Sequence, residues 1–229
     1  MAQSKKTQDH TEETFEAVEE ALSKSEQIIE EHQKSILTVI GVIVLIVVTY
    51  FVFDKYYLQP QEVEAQIEIA AAEGYFAQDS LRLALEGDAA HLGFLDIIDD
   101  YGMTKSANLA HYYAGICYLK LGEYEKAIDY LKGFSADDLV VAPMAMGAIG
   151  DAYMELGSTD KAINYYLDAA NQKVNDFTSP MFLQKAAWAY ESKGDYSKAI
   201  SIHKRIEKEF ANSNEGREAK KYIAALEKK

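Results

Sequence analysis

Hydrophobic and polar positions divide the chain into three zones. In the first, Phe15, Val18, Leu22 and Ile29 fall on one stripe of a predicted helix whose other faces are acidic. Ile36 continues that stripe into the second zone, residues 36–53, "ILTVIGVIVLIVVTYFVF", which carries no charge at all. Eighteen residues at a helical rise of about 1.5 Å reach about 27 Å, close to the hydrocarbon thickness of a bilayer. Lys34 bounds the run on one side, Asp54 and Lys55 on the other, and Tyr50, Tyr56 and Tyr57 sit where amphipathic rings favour the headgroup level. Its β-branched residues would favour a strand in water. In lipid every backbone group must be paired internally, so a lone span has to be helical. A soluble core helix rarely lacks a polar face over five turns. In the third zone, small and aromatic positions recur in a fixed register.

The run reads as an uncleaved anchor. The stretch before it is long and acidic, the run exceeds a usual signal-peptide core, and no small-x-small site follows. Lys24 and Lys34 precede the span closely while Lys55 alone follows it, which favours an N-terminus on the cytoplasmic side.

The register is set by three phrases: "GICYLKLGEYEKAIDYL" from Gly115, "GDAYMELGSTDKAINYY" from Gly150 and "AWAYESKGDYSKAISIH" from Ala187. Gly122, Gly157 and Gly194 align them at spacings of 35 and 37 residues. Tyr118, Tyr153 and Tyr190 stand four places before those glycines, Ala127, Ala162 and Ala199 five after, and Gly115, Gly150 and Ala187 seven before. A fixed period in this range marks stacked repeats. Small residues let two antiparallel helices approach closely, the tyrosine fills the space between them with its hydroxyl wet, and the glycine ends the first helix. Pro143 and Pro180 are expected at the first position of their units, where a missing N–H costs nothing. One hairpin cannot bury its own apolar face, so several must stack.

With these landmarks, residues 106–211 resemble three tetratricopeptide repeats. The large residue that usually opens the first helix is His111, Met146 and Leu183 here. Residues 72–102 look like a degenerate unit with an insertion, and 214–228 like a capping helix with one polar side. The expected fold is all-α: an N-terminal transmembrane helix followed by a tetratricopeptide-repeat α-solenoid. Its expected divisions are an acidic cytoplasmic tail (1–35), the span (36–53), a degenerate repeat region (54–105), three repeats (106–211) and a C-terminal cap (212–229).

In repeats of this type the first helix of each pair lines the concave side. Counting from Asn108, Pro143 and Pro180, the inward places are Leu109, Tyr112, Ile116 and Leu119; Met144, Gly147, Asp151 and Met154; and Met181, Gln184, Trp188 and Glu191. Methionine surfaces repack around varied partners, and Trp and Tyr are typical anchors of binding energy. Leu109, Tyr112, Ile116, Met144, Asp151, Met154, Met181, Gln184, Trp188 and Glu191 are therefore candidate partner-binding residues, with Trp188 and Tyr112 foremost. The other reading of the same pattern is packed core. No base occupies these places, which argues against clamping an acidic C-terminus. The stripe in the acidic tail is open to a protein partner or to none, since anionic headgroups would repel it.

A formal net charge of −14 argues against nucleic acid, which needs clustered Lys and Arg. The histidines (His10, His32, His91, His111 and His203) show no metal spacing with one another or with the lone Cys117, which sits at a packing position. His203 replaces an aromatic expected at its place and reads as packing. The pairs Asp99-Asp100 and Asp137-Asp138 lie near helix ends, where solvated or capping acids are ordinary. No phosphate-cradling loop occurs, so no enzyme, cofactor, metal or small-molecule substrate is expected.

The anchor, the repeats and "VVAPMAMGAIGDAYMELG" (140–157) together are similar to the single-pass, repeat-bearing ancillary subunits of the bacterial Sec translocon, over most of 15–227. That resemblance implies a bacterial inner-membrane protein with a periplasmic C-terminal domain. It also implies protein partners: secretory clients, periplasmic chaperones or translocon subunits, with the bilayer engaged through 36–53. A scaffold of an envelope complex, or a cytosol-facing receptor for import or chaperone docking, are the alternatives.

Overall fold

A computed structural model describes residues 32–229. The stripe at Phe15, Val18, Leu22 and Ile29 lies outside the described residues. The chain divides into two compact units at the Tyr57–Leu58 junction. In the first, residues 32–53 form helix α1, whose side chains are exposed throughout. The helical stretch His32–Ala77 is long and apolar enough, by length and composition, to cross a membrane, and its apolar window is 0% buried. A π-helical turn, Asp54–Leu58, precedes α2.

The second unit is helical throughout: α2 (Gln59–Ala77), α3 (Leu81–Glu86), α4 (Phe94–Asp100), α5 (Lys105–Lys120), α6 (Tyr124–Gly133), α7 (Val141–Glu155), α8 (Thr159–Gln172), α9 (Thr178–Ser192), α10 (Tyr196–Glu209) and α11 (Asn214–Leu226). The all-α solenoid expected from the sequence is the fold observed, and no strand occurs among the described residues. Helices α5/α6, α7/α8 and α9/α10 are successive hairpins, and α11 packs on α10 and α9.

Each hairpin turns at its glycine. Gly122, Gly157 and Gly194 have φ of 78°, 69° and 76°, the left-handed region that is cheap only without a Cβ. The carbonyls of Tyr118, Tyr153 and Tyr190 accept from the N–H groups of Glu123, Ser158 and Asp195, five residues on, which satisfies orphan carbonyls at each helix end. The three tyrosine rings also lie 5.0–5.2 Å from the Nζ atoms of Lys126, Lys161 and Lys198, four places after the glycine in each unit. Close helix approach explains the small residues. A Cβ on Gly115 would lie 2.5 Å from Leu131 Cγ, and one on Gly150 2.6 Å from Tyr166 Cε1.

Pro143 and Pro180 stand at the third position of α7 and α9, not the first. Polar side chains start these helices two residues earlier. Asp138 accepts from the N–H groups of Val140, Val141 and Ala142, and Asn175 Oδ1 accepts from those of Phe177 and Thr178. The prolines are still tolerated, because the first four N–H groups of a helix have no intrahelical acceptor.

Upstream, α2 pairs with a broken partner, α3 and α4, interrupted over residues 87–93. The two glycines bounding the break pinch together: a Cβ on Gly93 would lie 2.4 Å from the Gly87 nitrogen. At the far end, α11 buries Gly216, Ala219, Ile223 and Leu226 and leaves its other side polar.

The candidate partner-binding face

Curvature decides which helices form the inner wall. α5 packs beside α7, and α7 beside α9, whereas the backbones of α6 and α8, and of α8 and α10, stand apart, α8 and α10 meeting through the hydrogen bond from Arg205 Nη2 to Asn171 Oδ1 at 2.8 Å. First helices crowd together and second helices splay, so the inner surface belongs to α5, α7 and α9.

The structure separates the ten candidates by what they touch. Leu109 packs on the core formed with α2 to α4, and Tyr112 and Ile116 pack on the core between α6 and α7. Tyr112 meets Phe134 at 5.4 Å between ring centroids, and burial pushes its hydroxyl pKa up. Met144, Met154 and Met181 flank the core of α8, α9 and α10. All six are half-buried. They contribute at least as much to packing as to any open wall.

The two carboxylates are engaged. Lys185 Nζ donates to both oxygens of Asp151, at 2.7 Å each, and Tyr166 Oη donates to Asp151 Oδ1 at 2.7 Å. Burial, reinforced by Asp151, pushes the Tyr166 hydroxyl far above its ordinary range. Glu191 lies 3.7 Å from His203 Nε2 and 3.9 Å from Lys229 Nζ. Leu119, Tyr124, Asp151, Met154, Glu155 and Tyr166 line an open depression around the first of these carboxylates. Lys185 and Tyr166 are absent from the twelve inward places. Tyr166 reaches Asp151 from the second helix of the same hairpin and Lys185 from the first helix of the next, so neither lies in the counted row.

Two residues of α9 stand apart. Trp188 is 49% exposed, the largest side chain open on this wall. One turn earlier on the same helix face, Gln184 is 5% exposed, and neither its amide nitrogen nor its oxygen has a hydrogen-bond partner. A buried amide without partners is costly, and such groups in native proteins call for an explanation. Their spacing is suited to an apolar contact beside a donor–acceptor pair.

The remaining reactive groups are structural. Cys117 is buried, and desolvation pushes its thiol up to about 12. His203 is fully buried, and its ring stacks on Tyr222 at 5.0 Å and 8°. No cluster of His, Cys, Asp and Glu able to hold a metal occurs among the described residues.

Family comparison agrees with this architecture. One tetratricopeptide-repeat model matches residues 65–138 and 118–176, and a second matches 183–209. Together they cover more than half of the chain. The chain belongs to the tetratricopeptide-repeat family. The matched span begins at residue 65, so α2 to α4 carry repeat character despite the break in their second helix. A crystal structure of a protein described as a kinesin light chain from Podosopora anserina, with nearly identical TPR-like repeats, superposes with a TM-score of 0.50. It is 11% identical, and the match covers 75% of this chain and 85% of that one, which shows shared fold alone. No curated protein matches this sequence significantly. Tetratricopeptide repeats are protein–protein interaction modules and generally non-enzymatic scaffolds, which fits an inner wall without a convergent catalytic constellation.

Proposed function

We propose that this protein is a membrane-anchored tetratricopeptide module that holds extended polypeptide segments against the α9 part of its inner wall. The observation that carries this reading is the pairing of Gln184 with Trp188. An extended chain presents backbone N–H and C=O groups at every residue, which the Gln184 amide, buried in the free protein, can bind once its side chain turns out to the wall. Its side chains supply the apolar contact that Trp188 can take, and aromatic anchors of this kind dominate binding energy. Leu109, Tyr112, Ile116, Met144, Met154 and Met181 then shape the wall, while Asp151 and Glu191 are held by their own cations.

The span at 36–53 is the anchor in this reading, supported by its length, its lack of charge and the exposure of every side chain in it. The lysine bias puts the N-terminus in the cytoplasm and the repeats in the periplasm of a bacterial inner membrane. There the arrangement suits an ancillary subunit of the Sec translocon that engages secretory clients or chaperones.

A photo-crosslinking residue at Trp188 in cells tests this, with the exposed Ser201 on α10 as control. Adducts of many sizes, dependent on ongoing secretion and absent from position 201, are expected. A single stoichiometric adduct would favour an envelope scaffold, and none at all would contradict binding on this wall.

A further inference from the structure

We infer that the edge of the solenoid carrying its inter-repeat loops rests on the bilayer surface, with apolar loop tips seated among the lipid headgroups. The inference rests on the reading of 36–53 as a membrane anchor.

Hydrogen bonds join this edge from end to end. Glu62, in the first turn of α2, accepts from the Lys105 N–H at 2.6 Å and the Ser106 hydroxyl at 2.8 Å, so α2 and α5 begin side by side. Asn108, in the first turn of α5, exchanges two hydrogen bonds of 2.9 Å with the Ser135 backbone in the α6–α7 loop. Asn175 of the α8–α9 loop donates to the Leu139 carbonyl at 3.1 Å, and Lys173 pairs with Asp137 at 2.6 Å. The start of α2 and both inter-repeat loops therefore share one edge.

Exposed apolar side chains follow that edge. Met103, Leu139, Val140, Val174 and Phe177 are all exposed, Phe177 at 65% and Met103 at 64%. The opposite edge, with the glycine turns, carries ion pairs instead: Lys120 with Asp79, Arg82 with Glu123, and Lys193 with Asp160. Of its turn residues only Leu156 is an exposed large hydrophobic, and marginally so at 36%.

Chain connectivity points to lipid as the occupant. Only the five residues Asp54–Leu58 separate the apolar run from α2. Fully extended they reach about 18 Å, so the start of α2 cannot leave the interfacial region of a bilayer that the run crosses. The edge that shares this start is tethered there, and loop-tip Phe, Leu, Val and Met side chains are suited to shallow insertion. Several acids of the edge are already committed: Asp137 to Lys173, Asp138 to the first turn of α7, and Glu62 to the first turn of α5. Asp99, Asp100 and Asp176 stay exposed, which favours uncharged over anionic headgroups.

The test uses the full chain in phosphatidylcholine vesicles. An environment-sensitive dye is attached at a single new cysteine: Leu139→Cys, Phe177→Cys, Ser158→Cys on the opposite edge, or Val44→Cys in the span. Buried Cys117 does not compete for label. Lipid-borne nitroxides should quench positions 139 and 177 at least threefold more than 158, and less than 44. Quenching at 139 and 177 equal to that at 158, with 44 quenched, overturns this inference alone and leaves the patch to a protein partner. An unquenched label at 44 overturns the anchor and this inference together.

Discussion

Asp151 on α7 and Lys185 on α9 face each other across the seam between successive repeats, with Lys185 Nζ 2.7 Å from both carboxylate oxygens. About a third of each side chain is exposed, so the ion pair itself contributes less than about 1 kcal/mol. Asp151 also holds the buried Tyr166 hydroxyl, and that second bond makes the two partners unequal. Asp151→Ala should destabilise the solenoid by about 1–3 kcal/mol by leaving a buried hydroxyl unpaired. Lys185→Ala should cost under about 1 kcal/mol. Denaturant unfolding followed by the fluorescence of Trp188, the chain's single tryptophan, measures both.

Seams between repeats tolerate little added volume. A Cβ on Gly147 would lie 1.8 Å from Phe182 Cε1, the ring that α9 inserts against α7. Gly147→Ala should therefore destabilise by about 1–3 kcal/mol or more through overpacking. Gly74→Ala, in the last turn of α2 where nothing lies within 4 Å of the new carbon, should be neutral or stabilising by up to about 1 kcal/mol. The same unfolding assay separates them.

Acidification should weaken the fold from near-neutral pH. Burial lowers the pKa of His203 below 6.5, although Glu191 at 3.7 Å pulls the other way, and burial lowers His111 likewise. A depressed histidine binds its proton more readily unfolded, so stability is full above pH 6.5 and falls as pH drops below it. A second loss sets in below about pH 4. There the unfolded chain takes up a proton at Asp138 that the folded chain resists: burial raises the folded carboxyl's pKa, but the backbone N–H donors of Val140, Val141 and Ala142 together outweigh it and hold it below its ordinary 3.8. His203→Phe, which keeps a ring against Tyr222, should flatten the slope between pH 7 and 5.5. Unfolding midpoints at the two pH values give the answer.

What the sequence discloses is the part of the fold that repeats. Gly122, Gly157 and Gly194 are legible because a left-handed backbone tolerates few other residues, so each glycine marks a turn directly. His203 is legible as packing because it fills an aromatic place in the register. The helix starts are not, because Asp138 and Asn175 initiate α7 and α9 through side-chain bonds that periodicity does not record. The engagement of Asp151 escapes for another reason. Its partners come from two other helices: Tyr166 from α8 when its own hairpin closes, and Lys185 from α9 when the next hairpin stacks on it. The inner wall is thus partly legible: Trp188 is exposed as its place suggests, whereas most of its neighbours are tied into cores.

Gln184→Leu probes peptide binding on this wall most directly, because stability and binding should move in opposite directions. Replacing a buried, unpartnered amide with an apolar side chain should leave the fold as stable or more so, by about 1 kcal/mol. Extended peptides titrated against the vesicle-reconstituted chain, read by Trp188 fluorescence, should then bind at least fivefold more weakly than to the parent protein. Unchanged affinity in the Leu variant would contradict the claim that this wall holds polypeptide through Gln184.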